Sequence, residues 1–292
     1  MRIGFVGAGV VGTALALALA RRGHEVVAVA SRTRASAERL ALQLPGCAVE
    51  SKQGVAERAD LVFLTTPDDA IGAVCAEIRW RPESRVVHCS GAASTAVLEP
   101  ARAAGCLVGG FHPLQTFASA EGAISALPGT TFAVEAEEPL FSELARLAAD
   151  LGGHYLRLRA EDKVLYHAAA AIASNYLVVL ASLAADLWAG LGAGREEAIG
   201  ALLPLLRGTL GNLERVGLPG ALTGPIARGD VGTVRRHLDV LAERAPEVLP
   251  AYTLLGREAI RIALEKGTLT QVRAGELAAL LAEARGRAEE GG

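Results

Sequence analysis

In the first half of the chain, apolar residues gather in short runs at 2–6, 25–30, 59–65, 85–89, 106–111 and 130–135, separated by small or polar residues. Runs of this length, rich in Val, Ile, Leu and Phe, predict strands buried on both faces. Between them the apolar spacing changes to three and four residues, which predicts helices over 13–21, 35–44, 70–78 and 137–151. Strand alternating with helix predicts an α/β fold, a Rossmann-type doubly wound and mainly parallel sheet, over residues 1–158. The strand at 130–135 reads as the last, and the Gly152-Gly153 turn with the short segment 154–158 closes the domain. Over 159–292 strand-like runs vanish, so an all-α second domain follows.

The first strand runs into Gly7-Ala8-Gly9-Val10-Val11-Gly12, which opens a helix. In this order Gly7 allows the tight turn, Gly9 lets a pyrophosphate approach the backbone, and Gly12 lets helix and strand pack closely. The free N–H groups of the helix N-terminus hold the anion without a cationic side chain. The second strand ends in Ser31-Arg32-Thr33, where a carboxylate would select NAD. Two hydroxyls and a guanidinium suit a 2′-phosphate, so the expected cofactor is NADP(H); a solvated Arg32 with slight selectivity is the alternative.

Ligands of a doubly wound sheet lie at the carboxyl ends of its strands. Thr65-Thr66-Pro67 stands at one such end and is expected to border the nicotinamide ribose, with Asp68 or Asp69 read as the cap of the helix at 70–78. Ser90-Gly91 opens a small-residue turn at another end, where Ser90 either bonds the ligand or caps a helix. His112, held extended by Pro113, is a proton donor, an orienting partner or a structural residue.

The first helix of the second half reads EDKVLYHAAAAIASNY over 161–176. At about 100° per residue, Lys163, His167 and Ser174 fall within roughly 40° of one another, a polar stripe on an apolar helix. Such a stripe costs stability unless it is paired or used. Of the 29 basic residues only Lys52, Lys163 and Lys266 are lysines, and lysine changes charge on partial burial, which suits proton transfer. The competing reading pairs Lys163 with Glu161 or Asp162 at the surface. Further on, the loop 222–230 holds Arg228, read as solvated, and Asp230, read as the N-cap of a helix over 231–244.

Composition narrows the partners. At 292 residues and 51% hydrophobic, the chain has material for two cores. A net charge of −3 and a pI near 6.1 offer no basic surplus for nucleic acid or an anionic membrane, leaving a small molecule as the expected partner. The run 168–188 is interrupted by Ser174, Asn175, Ser182 and Asp186 and reads as a buried helix. No leader is read before the first strand, and Cys47, Cys75, Cys89 and Cys106 lack ligand or disulfide spacing, so reduced thiols, a cytoplasmic location and no metal site are expected. Apolar helices in the second half predict a homodimer through that domain.

The glycine turn, Ser31-Arg32-Thr33, HCSGAAS, GGFHPLQTF, GTTFAVE, DKVLYHAAAAIASNYLVVL and LTGPIARGD together resemble a bacterial Rossmann-like family with a C-terminal helical domain of unassigned function, grouped with NADP oxidoreductases. The chain is more distantly similar to ketopantoate reductase, pyrroline-carboxylate reductase, the β-hydroxyacid dehydrogenases and the deazaflavin-dependent NADP reductases. In the β-hydroxyacid dehydrogenases the corresponding helix carries a lysine and, four residues later, an asparagine; Lys163 matches the first and His167 stands where the second would be. The resemblance implies a hydride-transferring NADP(H) enzyme working on a C=O or C=N carbon of a small polar metabolite in an interdomain cleft. Lys163 would donate a proton or stabilise charge, with His167, Ser174, His112 and Ser90 orienting the substrate. The alternatives are a non-catalytic NADP(H)-binding sensor or interaction protein, a prephenate-like oxidative decarboxylase, and a deazaflavin-linked reductase.

Overall fold

The structure, a computed structural model, describes residues 1–290. In chain order the first part contains β1 (Arg2–Val6), α1 (Val10–Arg21), β2 (Glu25–Ala30), α2 (Arg34–Ala41), β3 (Ala48–Val49), α3 (Lys52–Arg58), β4 (Leu61–Leu64) and α4 (Ile71–Ala76). It continues with β5 (Arg85–His88), α5 (Glu99–Ala103), β6 (Leu107–Pro113), α6 (Ala120–Ala126), β7 (Thr131–Ala136), α7 (Leu140–Asp150), β8 (His154–Arg157) and α8 (Lys163–Ala173). The strands form one sheet in the order β3-β2-β1-β4-β5-β6-β7-β8. Pairing is parallel except between β6 and β7, so the sheet is doubly wound and mainly parallel, as the strand-helix alternation predicts.

Burial explains the runs. β4 is buried along its whole length, and Phe5, Phe63, Phe111 and Phe132 form a row of rings across β1, β4, β6 and β7, with centroids 5.2, 6.0 and 4.5 Å apart. α1 buries every residue from Ala14 to Leu19 against this face.

Several elements depart from the sequence pattern. The segment 154–158 is not a mere closing turn: His154–Arg157 is a strand, pairing in parallel with β7. All four of its residues are exposed, so it carries no inward-outward alternation to read. The short β3, α3, α5 and α6 likewise gave no signal. The helix over 161–176 breaks at Ser174, whose φ of −110° and ψ of −66° end α8 and begin α9 (Asn175–Ala189).

Two compact units emerge, Met1–Asn175 and Tyr176–Gly292, so α8 packs with the sheet. The second unit continues through α10 (Arg195–Gly220), α11 (Val231–Arg244), α12 (Leu249–Lys266) and α13 (Gln271–Glu290). Its core joins α11, α12 and α13 through Val234, Leu238, Ile260, Leu277 and Leu281. Asp230 caps α11 as expected, its Oδ1 accepting from the Thr233 N–H at 3.0 Å. The run 168–188, by contrast, is not a buried helix. α9 buries only Ala185, and Val178 and Val179 are 69% and 50% exposed. Ala160–Ala189 is long and apolar enough to cross a membrane by length and composition alone. The chain's own core leaves apolar side chains along it uncovered, among them Val164, Leu165, Ile172 and Tyr176.

Candidate active site

The glycine turn is built by contact with the end of β4. Gly7 has φ +121°, and a Cβ there would stand 2.5 Å from the Thr65 carbonyl oxygen. A Cβ on Gly12 would meet Gly7 O and Thr65 Oγ1 at 2.4 Å. The Thr65 hydroxyl donates to Gly7 O at 2.8 Å, locking the two turns together. Gly9 is exposed, has nothing within 4 Å of where its side chain would be, and precedes α1 without a capping side chain. The N–H groups of Val10, Val11 and Gly12 therefore face an open cradle beyond Ala8. Beside it, Thr66 Oγ1 is buried and has no hydrogen-bond partner among the described residues. An orphan hydroxyl and a cradle closed to any Cβ at Gly7 and Gly12 fit a dinucleotide pyrophosphate and ribose. At the end of β2, Ser31 is half-buried while Arg32 and Thr33 are exposed. Arg32 enters no ion pair among the described residues, whereas Arg34 pairs with Glu38 at 2.8 Å.

Lys163 is buried, 2% exposed, on the first turn of α8. The register places His88, Gly110 and Glu135 side by side on β5, β6 and β7. The Lys163 ammonium lies over the glycine: a Cβ on Gly110 would be 3.0 Å from Nζ and 3.4 Å from His88 Cε1. Nζ stands 3.2 Å from Glu135 Oε2 and donates to the Ser90 carbonyl at 3.2 Å. Glu135 Oε1 accepts from the Thr95 N–H and hydroxyl at 2.9 and 2.8 Å. Burial lowers the Lys163 pKa and Glu135 opposes that shift. The surface pairing with Glu161 or Asp162 is not formed; both acids instead flank Arg159.

Every polar atom of Ser90 is engaged. Its N–H donates to His88 Nδ1 at 3.1 Å, which puts the proton of the neutral imidazole on Nε2. Its hydroxyl donates to Asp68 Oδ2 at 2.5 Å and accepts from the Ala92 and Ala93 N–H groups at 3.2 and 2.9 Å. Ser90 thus shapes its own turn. Asp68 does not cap the following helix; it opens a 3-10 turn, Asp68–Ala70, and ties the β4 and β5 ends together. Cys89 packs against the core, and burial pushes its thiol up to about 12.

Above the turn sit two histidines. A Cβ on Gly91 would lie 2.8 Å from His112 Nε2 and 2.9 Å from His167 Cδ2, so only glycine leaves room for both. His112 Nδ1 shares a 2.8 Å hydrogen bond with the Tyr166 hydroxyl, the rings meeting edge to face. Burial and the Lys163 charge push His112 down to about 4, and the same two causes push His88 to about 3. Burial raises Tyr166 to about 12. The structure thus gathers Ser90, Gly91, His112, Lys163 and His167. Ser174 is not among them; it is the half-buried end of α8. Sequence reasoning missed His88, Gly110, Glu135 and Tyr166 and misassigned Asp68. The available signal was Glu135, a carboxylate inside the apolar run TTFAVE.

A Rossmann-like domain profile matches residues 1–113, and that of a domain of unknown function (DUF2520) matches residues 130–259. No curated protein matches the sequence. Among solved structures, BF3122 from Bacteroides fragilis, provisionally assigned as an NADP oxidoreductase, is 27% identical over 89% of this chain and 98% of its own, with a TM-score of 0.70. TM1727 from Thermotoga maritima is 24% identical over 90% and 99%, with a TM-score of 0.72. A reductive aminase from Aspergillus terreus in complex with NADPH is 20% identical over 98% and 94%, with a TM-score of 0.60. The last two show likeness of fold. The chain is thus similar to Rossmann-like domains in its first part and to the DUF2520 domain in its second.

Proposed function

We propose that the protein is an NADP(H)-dependent oxidoreductase acting on a C=O or C=N carbon of a small polar metabolite. The observation that carries this is the open cradle at Gly9, with the orphan Thr66 hydroxyl on its flank and the Ser90 turn at the neighbouring strand end. Bound NADPH would supply the hydride. The free amides at Val10–Gly12 would hold its pyrophosphate, and Ser31, Arg32 and Thr33 its 2′-phosphate. Thr65, Thr66 and Pro67, with Ser90 and Gly91, would border the nicotinamide half. His112 and His167 would orient the substrate beside Gly91. Lys163 would act through the turn it fixes from beneath and through its charge, since both its polar contacts are protein atoms. Likeness to a structure assigned as an NADP oxidoreductase supports the cofactor class.

The test is consumption of 4-deuterated NADPH with a panel of aldehydes, ketones and imines, followed by mass analysis of the product. Deuterium on the former C=O or C=N carbon is the expected result. Saturable NADPH binding with no consumption across the panel would replace this reading with a non-catalytic binder.

Assembly belongs to the same proposal. The exposed apolar helix α9 is 15 residues long and starts at the Ser174 break, while α8 before it is held on the sheet through the buried Lys163. A second copy of the chain is its proposed cover.

A further inference from the structure

We propose that Asp68 makes this site selective for a cationic substrate, a protonated imine or the ammonium form of the corresponding amine, over one that carries a carboxylate. The proposal rests on the oxidoreductase reading above and narrows it.

The charges around the Ser90–Gly91 turn carry the argument. Beneath the turn the Lys163 ammonium is buried and balanced by Glu135 at 3.2 Å, so it cannot receive an anionic substrate group. His88 and His112 are neutral at pH 7, held down by burial and by that same ammonium. No arginine contacts the turn among the described residues; Arg102 reaches Thr95 and Glu99. Asp68 is different. Its carboxylate is exposed, and one oxygen is fixed by the Ser90 hydroxyl at 2.5 Å, while no hydrogen bond or ion pair engages the other among the described residues. Its charge is also sensed at Lys163, Cys89 and His112, which places it electrostatically within the same cluster. A fixed negative charge beside neutral imidazoles attracts a cation and repels a carboxylate.

Proton balance points the same way. Hydride addition to a ketone leaves an alkoxide that must take a proton. Two groups near the turn are poor donors: Lys163 is enclosed, and the Tyr166 hydroxyl is raised to about 12 and bonded to His112. A protonated C=N group needs none. Its carbon takes hydride from the dihydronicotinamide, the C–H bond forms, and the π pair moves to nitrogen, cancelling the positive charge. The products are a neutral amine and the oxidised nicotinamide cofactor.

The experiment is calorimetric titration of the NADPH-saturated protein with three probes of one shape: cyclohexylammonium, cyclohexanol and cyclohexanecarboxylate. Cyclohexylammonium is expected to bind about tenfold or more tighter than the carboxylate. Asp68→Asn keeps an acceptor for the Ser90 hydroxyl while removing the charge, and it should abolish that preference. Asp69→Asn changes net charge equally one residue away and should preserve it. Equal binding of the probes, tighter carboxylate binding, no probe binding, or an unchanged preference in D68N would overturn the proposal. Failure of the protein to bind NADPH at all would instead overturn the oxidoreductase reading on which it rests.

Discussion

His88 is wholly enclosed, and its ring is neutral because both desolvation and the Lys163 ammonium disfavour the imidazolium. The consequence is a stability that depends on pH in a definite direction. Folding holds His88 at about 3 and His112 at about 4, against 6.5 for a free histidine. Below pH 6.5 the unfolded chain takes up protons that the folded one refuses, so stability is lost as pH falls toward 4. Each group contributes up to about 1.4 kcal/mol per pH unit in that window. Urea unfolding at pH 7, 5.5 and 4.5 should show the fall, and His88→Asn, which can still accept from the Ser90 N–H, should flatten it. An unchanged acid slope in H88N would show that His88 already titrates normally. Lys163 was legible as a special residue because lysine is scarce here. His88 was not, since a histidine at the end of an apolar strand looks the same whether it faces solvent or an ammonium.

The row His88–Gly110–Glu135 exists only because three strands are in register, and α8 drops Lys163 onto the vacancy that the glycine leaves. The longer buried strands and the helices between them could be read from apolar spacing. The partner of Lys163 could not, because periodicity says which residues share a face and nothing about which strands become neighbours. The antiparallel β7 is the clearest case: its sequence distinguishes neither its direction nor its place beside β6. Once seen, the pairing makes a strong claim about energetics. Lys163→Met should leave Glu135 buried without a counter-charge and cost ~3–5 kcal/mol. Adding Glu135→Gln should restore part of that loss, with a coupling of ~1–3 kcal/mol in urea unfolding. Additive losses would mean that the two groups do not interact. The Ser174 break belongs to this scale as well. A polar stripe drawn on a continuous helix assumed 100° per residue throughout, and the break at 174 removes Ser174 from it.

The whole molecule pairs a sheet domain with a complete core and a helical unit whose first helices are mostly uncovered. α9 and α10 together bury only Ala185 and Ala198, while Val178, Val179, Leu205 and Leu210 are exposed. Stable interfaces bury ~1,200–2,000 Å² of total surface around an apolar centre, and apolar α9 with the exposed leucines of α10 offers a surface of that kind. Light scattering at micromolar concentration should give twice the 30.1 kDa chain mass. V178D with V179D should give the monomer, and a monomeric parent protein would remove the proposed cover. Dinucleotide binding at the glycine turn is tested most directly by calorimetric titration with NADPH and NADH, with Arg32→Ala in parallel. The expected result is NADPH binding at least about tenfold tighter than NADH, on the order of 1.4 kcal/mol, with the preference lost in R32A. Binding of neither nucleotide would contradict the reading of the fold as a hydride-transfer scaffold.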